Sequence, residues 1–191
     1  MSVLAAPWPN HLLTLDEYLA LPEDNSHLYE LHEGILIVSP RPVLPHQRVL
    51  KRLAPTLDEQ LPAEWEAHTE VELIVQAREP AIVRVPDLLV APSYDKKNVP
   101  AAQALIVVEI VSPGTARTDT KIKPMEYSEA GIQHYWVIDI DAPVSLTAFR
   151  LVGDAYRQAP PVTGEFVTDD PFPLRINLDE LVAPRVEGRT T

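Results

Sequence analysis

Apolar residues recur along this chain in three rhythms, and each rhythm predicts a different kind of element. Within 46–61 they fall at Val49, Leu50, Leu53, Leu57 and Leu61, a stripe on one face of a helix. Pro55 inside that stripe predicts a kink or a split, because proline lacks the N–H that the helix needs there. Over 82–91 and 104–111 the apolar residues run nearly without interruption, the pattern of buried strands, and 66–75 reads as a further strand. Segments 28–31 and 35–38 are shorter strands on either side of Glu33-Gly34, which predicts a hairpin. Thr14-Leu15-Asp16-Glu17 is a capping box, so a short helix opens there and closes near Ala20, before Pro22. Ser112-Pro113-Gly114-Thr115 reads as a turn. A helix over 119–130 stops at Gly131, which suits a left-handed cap. Segment 135–139 is a further strand, 144–151 and 155–158 form a peripheral hairpin, and 177–180 opens a last short helix.

Strand 104–111, helix 119–130 and strand 135–139 form a βαβ unit, which makes the two strands parallel neighbours. The earlier strands have short connections and are predicted antiparallel. The fold class is therefore α/β (α+β), a mixed central β-sheet flanked by helices. With 191 residues, 46% of them hydrophobic, and twenty prolines spread from end to end, nothing divides the chain. One domain over 1–184 is expected, with 185–191 as a loose tail.

Composition narrows the setting. No cysteine is present, which excludes a disulfide scaffold and a thiolate metal site and suits the cytoplasm. No apolar run approaches the roughly 20 residues that span a bilayer, and residues 1–10 carry no basic, apolar leader. The net charge of −12 is awkward for a protein that binds a polyanion. Between Glu33 and Asp58, however, there is no acidic residue, while His46, Arg41, Arg48, Lys51 and Arg52 all lie there. That stretch is either a solvated helix face or a local basic patch for nucleic acid.

Candidate chemistry begins with two carboxylates inside apolar strands. Glu109 ends the run Ala104-Leu105-Ile106-Val107-Val108, and Asp87 follows Pro86 inside a second run. A carboxylate in such a place is costly unless it is paired or bound to a metal. Pro-Asp is also a common turn, whereas Glu is a poor strand former with less reason to stand in Val-Val-Glu-Ile-Val. Hard cations such as Mg²⁺ or Mn²⁺ take carboxylate oxygens, with a backbone carbonyl near Ile110 as a further donor. Asp119, Lys123 and Tyr127 are spaced to share one helical face, although Asp119 also fits a helix N-cap. Pro124 disfavours helical geometry at Lys123, which keeps Lys121 as a rival for any ammonium role.

Taken together, Tyr29-Glu30-Leu31 with Gly34, Ser39-Pro40, His46, Pro86-Asp87 and the stretch Val108-Glu109-Ile110-Val111-Ser112-Pro113-Gly114-Thr115 resemble the Uma-two family of restriction endonucleases. The likeness continues through Asp119 to Lys123, Tyr127, Ala130-Gly131-Ile132 and Tyr135-Trp136-Val137-Ile138-Asp139, and spans about residues 14–152. That family belongs to the PD-(D/E)XK nucleases. The resemblance implies a restriction-endonuclease-like mixed sheet and Mg²⁺-dependent DNA cleavage. By the same resemblance, Asp87 and Glu109 are the motif carboxylates and Glu30 is a further acidic position near the metal. The superfamily lysine would stand two residues after the glutamate, where this chain has Val111, so the motif is broken there. The variant pattern points to Lys123 in the following helix.

Two functional classes follow. The first is a cytoplasmic, metal-dependent DNA endonuclease, expected as a homodimer with the 144–151 hairpin and its Phe149 at the interface, and with Asp87, Glu109, Lys123 and Glu30 catalytic. In it Asp87, Glu109 and Ile110 hold the metal, and His46, Arg48, Lys51 and Arg52 track the nucleic acid. The second is a catalytically inactive nuclease fold used for oligomerisation or partner binding. Hydrolysis of a small phosphoester shares the chemistry of the first.

Overall fold

The structure, a computed structural model, describes residues 10–22, 24, 26–93, 97–111 and 118–184. The first nine residues, the Ser112–Thr115 turn and the 185–191 tail lie outside the described residues.

The chain opens with α1 (Leu15–Leu19), where the capping box forms as expected: Thr14 accepts from the Glu17 amide and Glu17 reaches back to the Thr14 amide. A hairpin follows, β1 (His27–His32) and β2 (Ile35–Pro40), turning through Glu33 at φ 50° and Gly34 at φ 80°. A Cβ at Gly34 would stand 2.9 Å from the Leu12 side chain, so the turn needs glycine for both its backbone and its packing. Then come α2 (Leu44–Asp58), β3 (Trp65–Thr69), β4 (Glu72–Gln76), β5 (Ile82–Arg84), β6 (Leu88–Pro92) and β7 (Asn98–Pro100). After the short 3₁₀ turn Ala101–Gln103 the chain enters β8 (Ile106–Val111). A π-helical turn, Thr118–Ile122, leads directly into α3 (Lys123–Glu129). The rest is β9 (His134–Asp139), β10 (Ser145–Val152), β11 (Ala155–Gln158), β12 (Val162–Thr163), β13 (Glu165–Thr168), β14 (Leu174–Asn177) and α4 (Leu178–Val182), capped by Asn177.

The mixed α+β class stands, but the strands divide between sheets. The central sheet has the order β11-β10-β9-β8-β6-β3, with β12 beside β10; a second sheet has the order β2-β1-β5-β4-β7, and β13-β14 form a separate hairpin. β8 and β9 are parallel, as the crossover requires, and β3, β6 and β8 are antiparallel neighbours.

Two segments read as single strands are each broken in two. Segment 66–75 leaves the central sheet at Glu70, whose φ of 52° is left-handed, and β4 joins the second sheet. Segment 82–91 crosses between sheets at Val85-Pro86-Asp87. The two crossings touch, since the Glu70 amide donates to the Asp87 carbonyl at 3.1 Å. Pro86, with no N–H to give, stands where the chain has left one ladder and not yet entered the next.

Alternation in β8 sorts its side chains. Ile106, Val108 and Ile110 face the larger core, packed with Leu53 and Leu57 of α2 and with Leu178 and Leu181 of α4. Val107 lies in the opposite core with Leu73, Tyr127 and Tyr135. The period of two therefore turns Glu109 toward α3. Against expectation, α2 runs unbroken through Pro55. That residue is exposed and in the last turn, so the lost bond falls on the solvent side.

Candidate active site

The ladder that pairs Leu88 with Val108 puts Asp87 opposite Glu109 one step further on, at the edge between the two sheets. Asp87 is tied at both oxygens. His46, in the first turn of α2, meets Oδ1 through Nε2 at 2.8 Å, and the Ile110 amide donates to Oδ2 at 2.6 Å. Glu109 is 3% exposed, and its Oε1 accepts from the Tyr127 hydroxyl at 2.9 Å and lies 2.9 Å from Lys123 Nζ. Lys123 also lies 3.1 Å from Asp119 Oδ1.

The π-helical turn makes this convergence possible. Proline's ring would collide with the carbonyl four residues back, and a wider turn relieves the clash. Pro124 thereby sits at the start of α3 with Lys123 pointing inward, buried, while Lys121 is exposed.

These groups open on one cavity of ≈ 350 Å³. Its walls include Asp87, Glu109, Ile110, Asp119 and Lys123, with Glu30, Arg41 and His46 facing them. Asp87, Glu109, Lys123, Glu30, His46 and Ile110 are thus brought together. Arg48, Lys51 and Arg52 are not. Arg48 donates to the Val182 carbonyl, Arg52 to the carbonyls of Leu181 and Ala183, and Lys51 borders a different cleft. The two arginines cap the C-terminal end of α4.

Electrostatically the site is short of positive charge. Burial pushes the Glu109 carboxyl up to about 8; Lys123 pulls it down, and Asp87 and Asp119 push it further up. Burial works against the Lys123 charge too, but the surrounding Glu109, Glu30 and Asp119 outweigh it, so the ammonium is held charged. Tyr127 is pushed well above its ordinary value, chiefly by burial, and keeps its proton.

The donor set fits a hard divalent cation: carboxylate oxygens in excess of one ammonium, and a buried oxygen, Asp119 Oδ1, that accepts no hydrogen bond among the described residues. Among the described residues, no three acidic or histidine side chains already stand as a ready-made metal cage. The ammonium is interposed between two of them.

Beside the cavity lies a charge network that the sequence reading missed. Arg84 of β5, 1% exposed, clasps Glu126 of α3 at 2.7 and 2.6 Å, donates to Glu30 at 3.1 Å and meets His32 Nδ1 at 3.0 Å. Glu30 also accepts from the Val85 amide at 3.0 Å. The signal was available, because Arg84 interrupts Ile82-Val83-Arg84-Val85 as Glu109 interrupts its own run.

A mixed sheet flanked by helices, with one carboxylate on a strand, one at a strand's edge and a helix lysine at one cavity, defines a restriction-endonuclease-like protein. A solved structure of a "putative nuclease belonging to DUF820" from Anabaena variabilis ATCC 29413 has the same fold: TM-score 0.68, 20% identity, 89% of this chain and 97% of that chain covered. No curated protein matches this chain in sequence. The Uma2 family model, described as "Putative restriction endonuclease", matches residues 15–179, and the chain belongs to that family.

Proposed function

We propose that this protein is a Mg²⁺-dependent endodeoxyribonuclease, with Mn²⁺ able to replace Mg²⁺. The observation that carries the reading is the meeting of Asp87, Glu109 and Lys123 at one cavity from three separate elements. Asp87 and Glu109, with the Ile110 carbonyl, would hold the cation, which polarises a phosphate and acidifies a bound water.

The chain's own groups have distinct parts. His46 and the Ile110 amide fix the Asp87 carboxylate, so its orientation is set before any ligand enters. The Lys123 ammonium, held charged by its carboxylate neighbours, acts as a donor to developing negative charge rather than as a base. Tyr127 steadies Glu109. Glu30, bound to Arg84, adds negative field at the cavity wall and tunes cation affinity.

Cleavage of supercoiled plasmid in Mg²⁺ tests the reading. Asp87→Ala should lose at least about 10²–10³-fold in rate, the scale of removing one essential electrostatic group. Lys123→Ala should also abolish cleavage, and Lys121→Ala should not. Equal nicking by Asp87→Ala would end the proposal.

One set of observations favours the inactive module as an alternative. The net charge is −12, and Arg48 and Arg52 are committed to α4 rather than to a phosphate track. Calorimetry with Mg²⁺ separates the two, since that alternative predicts no heat linked to Asp87 and Glu109. Cytoplasmic location, DNA as the partner and a homodimer belong to the leading reading. Among the described residues no helix is long and apolar enough to cross a membrane. Phe149, expected at a dimer face, instead packs 5.5 Å from Tyr135 within the chain. A monomeric mass by light scattering would remove the dimer.

A further inference from the structure

Asp119 is buried to 2% exposure at the cavity wall, and neither the packing of the fold nor the motif carboxylates account for it. Its backbone is anchored independently, since the Tyr135 hydroxyl donates to the Asp119 carbonyl at 2.6 Å. Its side chain does not cap α3, whose cap position is Ile122 with no side-chain bond. Among the described residues Oδ1 accepts no hydrogen bond; the Lys123 ammonium at 3.1 Å is close but not aligned to donate. A buried carboxylate oxygen without a hydrogen bond is costly, and such an oxygen is what a hard cation takes. Glu109 Oε1, on the other side of the same ammonium, is 2.9 Å away. One Lys123 nitrogen therefore bridges two carboxylates in the position a small cation would share.

We propose that Asp119 is a third carboxylate ligand of the divalent-cation site, and that the Lys123 ammonium competes with the cation for Asp119 and Glu109. This rests on the metal-dependent reading above and goes beyond it by adding a ligand and a built-in competitor.

The test is Mn²⁺ alone, titrated by calorimetry and followed by electron paramagnetic resonance, on the full chain. The variants are Asp119→Asn, Lys123→Met, the two combined, and Asp87→Asn. Asp119→Asn should weaken Mn²⁺ binding by at least about tenfold, the lower end of what an engaged metal-site group contributes. Lys123→Met should tighten it, and Asp119→Asn should still weaken it about tenfold in the Lys123→Met background. Should Asp119→Asn alone fail to fold by circular dichroism, the comparison of Lys123→Met with the double variant carries the same test. A penalty that vanishes without Lys123 would make Asp119 a mere holder of the lysine and overturn the inference. Unchanged or weaker binding in Lys123→Met would overturn the competition. If Asp119→Asn binds normally while Asp87→Asn does not, this inference alone fails. If the unaltered chain binds no Mn²⁺, or binding ignores Asp87→Asn, the metal-dependent reading itself fails as well.

Discussion

Two clusters of buried charge sit side by side in this molecule, and they are built to opposite rules. Around Arg84, one guanidinium takes both oxygens of Glu126, one of Glu30 and the ring of His32, and the second Glu30 oxygen accepts the Val85 amide. Each carboxylate oxygen there has a donor. Around Lys123, one ammonium faces Glu109 and Asp119, with Asp87 adding further negative field at Glu109, and one buried oxygen accepts no hydrogen bond among the described residues. α3 serves both clusters, giving Lys123 to one and Glu126 to the other. The Arg84 cluster welds α3 and β1 to β5, so the under-compensated cluster beside it can keep its excess charge without collapsing. Saturated charge is structural here, and unsaturated charge is where ligand chemistry is available.

Deleting the cation from each cluster breaks this comparison most directly. Arg84→Met takes the guanidinium from the buried Glu126 and the half-buried Glu30, so it should cost about 3–5 kcal/mol of stability. A metal-free thermal or urea unfolding curve reads that loss, and the gap to the unaltered chain should persist when both are in Mn²⁺. Lys123→Met should cost less, about 1–2 kcal/mol, because Glu109 is already inclined to take up a proton and become neutral. Mn²⁺ should recover that smaller loss by binding the folded state. Equal losses in the two variants, both insensitive to Mn²⁺, would mean that the clusters do not differ in kind.

How much of this was legible in the sequence depends on which interaction sets each feature. Short-range chemistry was readable: the Thr14–Glu17 box, the Glu33-Gly34 turn, the Asn177 start of α4 and the β8–α3–β9 crossover all appear where local pattern places them. Sheet membership was not. Periodicity reports which face a side chain takes but not which ladder its backbone joins, so the breaks at Glu70 and at Pro86-Asp87 were read as continuous strands. Hairpin β13–β14, two strands of four residues each, went unread. In the site, Asp87 and Glu109 stood out because a carboxylate in an apolar run has few bland explanations. Lys123 was preferred on the resemblance, with Lys121 kept as a rival because a regular helix would resist Pro124, and the π-helical turn that turns Lys123 inward leaves no mark in spacing. Arg84 carried the same signal as Glu109 and went unread beside it.

The last expected effect is a slope with pH, and it sharpens the comparison further. The Glu109 carboxyl lies at about 8 in the folded chain against an ordinary value of 4.5, chiefly because it is buried. Between those two values the folded chain keeps a proton that the unfolded chain has released. Its contribution to stability is therefore complete below about 4.5, declines as pH rises, and is lost above about 8. With metal removed by a chelator, unfolding curves should show stability falling across that window, by at most about 1.4 kcal/mol per pH unit from this one group. Glu109→Gln should flatten the slope, because the amide has no proton to lose. Arg84→Met should shift the whole curve downward and leave the Glu109 slope in place. If Glu109→Gln retains the full slope, the pH response belongs to other carboxyls, and the charge deficit at Lys123 is smaller than its neighbours imply.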